Sequence, residues 1–270
     1  MKVALAQINP TVGALENNSL KITEIIREYS SQCDLIIFPE MVLTGYPPQD
    51  LLLDDTFIQK AHNALENIAT SVKTTAVIVG TIRQENGKLF NTAAVIQDGS
   101  VIAFRDKTHL PTYDVFDEVR YFTPAESIKP VELRMNGDAV KLGLQICEDL
   151  WDDEYDLQVC RVLCEKGAEL LINISASPFH VNRLDKRLVL IRDKVEDLKC
   201  NFIYCNLIGA QDELVFDGLS CIVNPAGEVV ALSPAFEENV QVVNLEKGDP
   251  VKIPALSEEN QIFHALSLGI

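Results

Sequence analysis

The stretch KLGLQICEDLWD, residues 141–152, changes abruptly from an apolar run to a polar one at Cys147. The apolar part has the length and composition of a buried strand, and active-site groups of α/β sheets gather where such strands end. Core packing is the structural alternative for Cys147, because buried free cysteines are common. The sudden polar break at Cys-Glu-Asp-Leu-Trp, residues 147–151, favours an active-site position for this thiol.

Two upstream segments place further polar groups after apolar runs. IIFPEMVLTGYP, residues 36–47, carries Glu40, and FRDKTHLPTYDVFDE, residues 104–118, carries Lys107. A carboxylate, an ammonium group and a thiol are the parts needed to cleave an amide bond through a covalent thioester. Glu40 lies 67 residues before Lys107, which lies 40 before Cys147, so only a folded domain could bring them together. Taken singly, a solvated strand end would explain Glu40 and an ordinary surface position would explain Lys107.

Together with their flanking residues, Glu40, Lys107 and Cys147 resemble the catalytic set of the nitrilase, or carbon–nitrogen hydrolase, superfamily. The resemblance extends from about residue 3 to residue 249 and implies a four-layer α–β–β–α sandwich. In this chemistry Cys147 is the nucleophile and Glu40 the general base. Lys107 and the backbone N–H of Glu148 are the expected donors to the oxyanion.

A second glutamate of the superfamily, which borders the site, is matched by Glu118 in YDVFDEVRYF, residues 113–122. The resemblance implies that Glu118 orients Lys107 or the substrate. An exposed loop carboxylate is the structural alternative for this residue.

Strand and helix patterns alternate along the chain, which predicts an α/β fold with mixed sheets. Helices are expected near residues 56–72 and 185–198, and Asp98-Gly99 predicts a hairpin. The pattern alone leaves open whether the strands form one sheet or two. We expect a hydrolase domain over residues 1–250, with residues 251–270 beginning a linker to a further domain.

The composition restricts the class of partner. The chain has 270 residues, of which 47% are hydrophobic, and a formal net charge of −17. This acidity argues against nucleic acid and anionic membranes, which both need basic surface. No apolar stretch approaches the roughly 20 residues that span a bilayer, and the first strand pattern is too short for a signal peptide. We therefore expect a cytoplasmic protein.

The cysteine pattern favours neither a zinc site nor a disulfide framework. The seven cysteines form no CxxC pair, and only four histidines accompany them. Cys160 and Cys164 lie four residues apart, which places them on one helix face, and core packing is the expected role of both. We expect no metal in this chain.

Several longer motifs narrow the resemblance to one family. FPEMVLTGYPPQDLL, KTHLPTYDVFDEVRYF, ICEDLWD, NISASPFH and VFDGLS resemble the glutaminase domains of glutamine-dependent NAD⁺ synthetases. The resemblance implies hydrolysis of L-glutamine and delivery of ammonia to a synthetase domain, in cis or in trans. The matching substrate-binding positions are Tyr46, Tyr113, Glu148, Trp151, Ser177 and Arg183.

The implied substrate fits the chemistry of those positions. A free amino acid needs an acid for its ammonium group and a cation for its carboxylate, which Glu148 and Arg183 would supply. Tyr46 and Trp151 would enclose its aliphatic part. Within HVNRLDKR, residues 180–187, Lys186 and Arg187 compete with Arg183 for the carboxylate.

Other readings remain open from the residues alone. A stand-alone ω-amidase or aliphatic amidase would share Glu40, Lys107 and Cys147, and so would a family member that has lost activity. No SGGxDS-type pyrophosphate loop occurs in the chain, so ATP and Mg²⁺ are expected only for an absent synthetase domain, and no cofactor is expected here. The chain would then be either part of a longer protein or a separate subunit. The resemblance also implies a homo-oligomer.

Overall fold

Alternating apolar runs form two six-stranded sheets in the computed structural model, which describes residues 1–135 and 137–270. The strands are β1 (Lys2–Gln7), β2 (Leu35–Ile37), β3 (Ala76–Glu85), β4 (Lys88–Gln97), β5 (Ser100–Asp106), β6 (Val131–Met135), β7 (Asp138–Ile146), β8 (Leu170–Ser175), β9 (Asn201–Asn206), β10 (Ile208–Gln211), β11 (Leu214–Asp217), β12 (Cys221–Val223), β13 (Val229–Leu232) and β14 (Asn239–Asn244). The helices are α1 (Leu15–Tyr29), α2 (Asp55–Ser71), α3 (Val159–Glu165), α4 (Arg183–Leu198) and α5 (Glu258–Leu268).

Both sheets are mixed, as the sequence predicts. The first has the order β14-β1-β2-β3-β4-β5 and the second β13-β12-β9-β8-β7-β6, while β10 and β11 form a separate pair. Strands joined through helices run parallel, namely β1 with β2, β2 with β3, β7 with β8 and β8 with β9. Strands joined by tight turns run antiparallel, because a short connection permits no crossover. The predicted hairpin at Asp98-Gly99 joins β4 to β5.

The two sheets pack face to face and carry helices on their outer faces. Val3, Leu5 and Ile37 of the first sheet share one buried apolar cluster with Leu144 and Ile172 of the second. A further cluster joins α1 and α2 to the first sheet, and a third joins α3 and α4 to the second. The predicted four-layer α–β–β–α sandwich is therefore confirmed. The central strands of each sheet are buried on both faces, which explains why they are nearly continuous apolar runs, whereas the edge strands β5, β6 and β14 are partly exposed.

Three parts of the fold have no counterpart in the sequence prediction. These are β6, the β10–β11 pair, and β14, which pairs antiparallel with β1 from Lys2↔Asn244 to Gln7↔Asn239. After residue 250 the chain forms α5, where the Ser257 side chain accepts a hydrogen bond from Asn260 N. The division at residue 250 into a domain and a linker stays a prediction.

The strand ends deliver the predicted catalytic residues to one place. Glu40 lies three residues after β2, while Lys107 and Cys147 directly follow β5 and β7. The Glu40 turn also approaches β3 very closely at Gly80, where a Cβ atom would lie 2.1 Å from the Pro39 carbonyl oxygen. Only glycine fits this position, so β3 helps to set the backbone that carries Glu40.

Candidate active site

Cys147 occupies the sharp junction between β7 and a 3₁₀ turn that spans Cys147–Leu150. Its backbone has φ 44°, a left-handed conformation that is costly for a residue other than glycine. The Cys147 carbonyl accepts a hydrogen bond from Asn173 Nδ2 at 3.3 Å, and the residue is 7% exposed. Cys147 therefore ends the strand in a strained backbone conformation, at the edge of the buried cluster that joins the two sheets.

Glu40 is fully buried and is held by three donors from three separate segments. Its Oε1 accepts hydrogen bonds from Lys107 Nζ at 2.8 Å and Asn91 Nδ2 at 2.6 Å. Its Oε2 accepts one from the Ala176 N–H at 2.7 Å. Three charge-assisted bonds hold the carboxylate in a single orientation. The sequence offered no signal for Asn91, a polar residue inside an apolar strand.

Lys107 lies between two carboxylates. Its Nζ donates to Glu40 Oε1 at 2.8 Å and to Glu118 Oε1 at 2.7 Å, and Tyr46 Oη donates to the same Glu118 oxygen at 2.9 Å. Burial by itself would lower the pKa of Lys107, but the Glu118 and Glu40 carboxylates outweigh it and raise that pKa well above its ordinary value. Lys107 is therefore a permanent cation. Glu118 is 5% exposed, which removes the alternative of an exposed loop carboxylate.

Burial, followed by the Glu40 carboxylate, raises the pKa of the Cys147 thiol well above its ordinary value, while Lys107 acts in the opposite direction. The thiol is therefore protonated at neutral pH. A thiol in this state becomes a nucleophile only if a base removes its proton during the attack. Glu40 is the carboxylate with the largest electrostatic influence on Cys147.

The Glu148 carboxylate accepts hydrogen bonds from two tyrosine hydroxyl groups. Tyr113 Oη lies 3.0 and 2.9 Å from its two carboxylate oxygens, and Tyr155 Oη lies 3.1 Å from Oε1. The structure thus joins the predicted residues Tyr113 and Glu148. Tyr155 was not predicted, since its ring reaches the site by stacking on His109 with centroids 3.9 Å apart.

The three candidate cations that follow SPF, residues 177–179, have different environments in the structure. The Arg183 guanidinium stacks over the Trp151 ring at 4.0 Å. Lys186 is exposed. Arg187 is fully buried, where it contacts Asp217 at 3.4 Å and stacks on Tyr204. Arg183 is therefore the one of the three that stays available beside a predicted pocket residue.

Ser177 and Tyr46 lie close to the buried carboxylates, since Ser177 follows Ala176, whose N–H donates to Glu40, and Tyr46 donates to Glu118. The Ser177 side chain is buried, and its Oγ has no hydrogen-bond partner within residues 1–135 and 137–270. The Tyr46 ring packs edge-on against Phe216 with centroids 6.1 Å apart. A cavity of about 190 Å³ adjoins the site at Glu118, and its other lining residues include Tyr46, Phe116 and Leu214.

Asp149 holds the Lys107 and Cys147 segments together. Its Oδ1 accepts hydrogen bonds from the backbone N–H groups of Thr108 at 2.9 Å and His109 at 2.8 Å. Its Oδ2 accepts one from the Ile146 N–H at 3.2 Å. These donors lie within two residues of Lys107 and Cys147, so the fully buried Asp149 ties together the backbone segments that carry the ammonium group and the thiol.

We expect Asp149→Asn to lower kcat for amide hydrolysis by about 10–100-fold and the free energy of unfolding by about 3 kcal/mol. The new amide group would face N–H donors, and the charge that balances the buried Arg105, 3.5 Å away, would be lost. Steady-state kinetics and thermal melts measure both effects. Asp153→Asn, at a side chain 64% exposed, is the control and should behave as the wild type. Wild-type kcat and melting temperature in Asp149→Asn would show that the hydrogen bonds to the Asp149 carboxylate are dispensable.

The pH dependence of stability reports on Glu118. Burial, opposed by Lys107 and assisted by Glu40, raises the pKa of Glu118 from 4.5 to about 7. A carboxyl group whose pKa is raised on folding stabilises the fold below the unfolded-state pKa, and this contribution is lost as the pH rises through the folded-state pKa. Relative to Glu118→Gln, the wild type should therefore lose up to about 1.4 kcal/mol of stability per pH unit between about pH 4.5 and 7, and the difference should level off above about pH 7. Thermal melts of both proteins between about pH 5 and 9 measure this, and parallel curves would contradict it.

Neither a metal cluster nor a membrane span is found in the described part of the chain. Residues 1–135 and 137–270 contain no group of three or more His, Cys, Asp or Glu side chains placed to hold a metal ion. Among the same residues, no helix has the length and apolarity required to cross a bilayer.

Comparison with known proteins places this site in a family. The sequence profile of carbon-nitrogen hydrolases matches residues 2–250. A glutamine-dependent NAD(+) synthetase of Aquifex aeolicus is 41% identical over 250 residues, which cover 92% of this chain and 43% of that protein. The chain spans about half the length of the curated relatives it matches.

Solved structures agree with this assignment. The glutamine-dependent NAD+ synthetase of Acinetobacter baumannii, in complex with ADP, has a TM-score of 0.90 at 32% identity and covers 99% of this chain and 50% of its own. An amidase from Nesterenkonia sp. shares the fold, with a TM-score of 0.77 at 24% identity over 90% of this chain and 89% of its own. The sequence profile and the fold that carry the buried glutamate, lysine and cysteine thus indicate the same group of enzymes. The chain belongs to the carbon–nitrogen hydrolase family.

Proposed function

We propose that this chain is a glutaminase that hydrolyses the side-chain amide of L-glutamine through a thioester on Cys147. The ammonia would serve an ATP-dependent synthetase domain, which amidates nicotinic acid adenine dinucleotide to NAD⁺. The convergence of Glu40, Lys107 and Cys147 at neighbouring strand ends carries the hydrolytic part. The relatives named as glutamine-dependent NAD(+) synthetases support the choice of substrate and partner.

In the first step the Cys147 sulfur attacks the amide carbon while Glu40 accepts the thiol proton. Glu40 suits this role because its carboxylate is fixed by three donors and Lys107 balances its charge. The tetrahedral intermediate carries an oxyanion, and the Lys107 ammonium and the Glu148 N–H are the proposed donors to it. Because the pKa of Lys107 is raised, Lys107 stays charged throughout.

In the second step the intermediate collapses and the C–N bond breaks. Glu40 returns the proton to the departing ammonia, which leaves a thioester on Cys147. Glu40 then removes a proton from water, which attacks the thioester and releases glutamate and the free thiol. One carboxylate thus serves both halves of the reaction.

The α-ammonium and α-carboxylate groups of the substrate would bind on opposite sides of the pocket. Glu148 lies beside Cys147 in sequence and would accept the α-ammonium group, with Tyr113 and Tyr155 holding its carboxylate in place. Arg183, stacked on Trp151, would bind the α-carboxylate. The unpartnered Ser177 Oγ would supply a further polar contact, and Tyr46 part of the wall.

The proposal gives no cofactor to this chain. ATP and Mg²⁺ would act in the synthetase domain, since the hydrolytic steps above need only side chains and water. Self-association, as in other nitrilase-type sandwiches, and a cytoplasmic location complete the proposal. The intact set of Glu40, Lys107 and Cys147, with Lys107 bonded to Glu40 and both acting electrostatically on the thiol, speaks against a catalytically inactive family member.

A substrate panel tests the proposal. Ammonia release would be measured from L-glutamine, α-ketoglutaramate and a simple aliphatic amide. We expect the highest kcat/KM with glutamine, and a preference for either other amide would instead identify a stand-alone ω-amidase or aliphatic amidase. Glu148→Gln sharpens the test, because it should weaken glutamine, which carries an ammonium group, far more than α-ketoglutaramate, which does not. Tyr113→Phe, which keeps the Glu148 charge, is the matched milder variant.

A further inference from the structure

Outside the active site, two thiols lie close enough to react with each other. Cys164 Sγ and Cys200 Sγ are 3.6 Å apart, although 36 residues separate them in the chain. Cys164 is in the last turn of α3, and Cys200 lies between α4 and the first residue of β9. The pair therefore spans the outer helical layer and the start of a central strand.

The two sulfurs differ in access. Cys164 is partly exposed, whereas Cys200 is 7% exposed. The hydrogen bond between the two thiols, in which either sulfur can donate, lowers the pKa of Cys164 and raises that of Cys200. An accessible sulfur with more thiolate character beside a buried second thiol is the arrangement of an oxidisable pair.

We propose that Cys164 and Cys200 form a redox modification site that a peroxide closes to a disulfide. Cys164 attacks one peroxide oxygen and becomes a sulfenic acid, while the other oxygen leaves as water. Cys200 then attacks the Cys164 sulfur, forms the S–S bond and expels the second water. The overall change is two thiols plus hydrogen peroxide to one disulfide plus two waters, so the two electrons lost by sulfur reduce the peroxide.

The closure needs little movement. A disulfide has its sulfurs about 2.05 Å apart, so the pair must approach by about 1.5 Å. Cys164 lies at the end of a seven-residue helix that is followed by a turn at Gly167, where φ is 88°. A short helix with a glycine turn behind it can shift by this amount more easily than the packed strand β9.

The disulfide would link α3, which lies next to the Cys147 turn, to the start of β9. α3 packs against the turn that begins with Cys147. It also carries Cys160, whose Sγ donates to Gln145 Oε1 at 3.1 Å, two residues before Cys147. Closing a loop of 36 residues restricts the unfolded chain, so the oxidised protein should melt about 5–10 °C higher than the reduced one.

The experiment treats the reduced protein with hydrogen peroxide, alkylates the remaining thiols after unfolding, and analyses the peptides by mass spectrometry. We expect a peptide pair linked through Cys164 and Cys200, with the loss of two hydrogens, and its separation by dithiothreitol. The rise in melting temperature should disappear with the same reductant. Both effects should be absent in Cys164→Ser and in Cys200→Ser.

Cys33→Ser is the matched control, because Cys33 is a buried thiol elsewhere that donates to the Tyr29 carbonyl. It should keep both the cross-link and the thermal shift. A parallel treatment of Cys147→Ala removes the catalytic thiol as a competing partner and should leave the cross-link intact. The proposal is overturned if Cys164 is recovered as sulfinic or sulfonic acid with Cys200 still alkylatable. It is equally overturned if both sulfurs stay alkylatable at a peroxide dose that oxidises free cysteine.

Discussion

Cys147→Ala is expected to lower ammonia release from L-glutamine by at least about 10⁴-fold. The thioester cannot form without the thiol. Among the described residues, Cys147 is the cysteine whose electrostatic interactions with Glu40 and Lys107 the structure shows. The fold should survive, because alanine fits a small buried site and tolerates the positive φ of 44° no worse than cysteine. Steady-state ammonia release, together with a thermal melt, measures both statements.

The matched control is Cys33→Ala, another buried cysteine, which should retain full activity. Labelling by a diazoketone analogue of glutamine gives a second readout. The adduct should map to Cys147 in the wild type and be missing from Cys147→Ala. Residual turnover within tenfold of the wild type, or an adduct on another cysteine, would remove Cys147 as the nucleophile.

Glu40→Gln should reduce turnover by about 10⁴-fold, through the loss of a base that acts in both halves of the reaction. Glutamine has one acceptor oxygen, whereas the Glu40 carboxylate accepts from Lys107, Asn91 and the Ala176 N–H through two. The amide nitrogen would face a donor, and Lys107 would lose part of its counter-charge. We therefore also expect a loss of about 2 kcal/mol in the free energy of unfolding.

The KM for glutamine should change by only a few-fold in Glu40→Gln, because the ammonium and carboxylate of the substrate are assigned to Glu148 and Arg183. Rapid-quench measurement should show that acylation of Cys147 has become the slow step. Glu24→Gln, an exposed glutamate on α1, is the control for the chemical change and should be silent. Normal turnover in Glu40→Gln would mean that another group removes the thiol proton.

The candidate catalytic residues Glu40, Lys107 and Cys147 were identified because each follows an apolar strand and their motifs together resemble those of the carbon–nitrogen hydrolases. The polar break after Ile146 and the Glu-Pro turn after β2 are local signals, and the side-chain periodicity of the flanking segments identified most helices and strands. Elements with weaker patterns escaped prediction. β14, which is mostly half-buried, reads as an ordinary surface segment until it pairs with β1.

Asn91, Asp149 and Tyr155 show the limit of a reading from the sequence. Each depends on a partner that is distant in the chain: Asn91 lies 51 residues from Glu40, Asp149 lies 41 residues from Thr108, and Tyr155 lies 46 residues from His109, on which its ring stacks. Their segments carry no pattern that distinguishes a hydrogen bond to a catalytic group from an ordinary buried polar residue.

The sequence by itself predicted alternating strands and helices, because hydrophobic period is a local property, and its motifs indicated the chemistry and the four-layer sandwich through their resemblance to the carbon–nitrogen hydrolases. The tertiary structure decided how the groups act on one another. It placed Lys107 between Glu40 and Glu118, buried Arg187 on Asp217 while leaving Arg183 beside Trp151, and raised the pKa of Cys147. Those outcomes depend on burial and on distances between segments far apart in the chain, and electrostatic interactions are strong only once packing has excluded water from them.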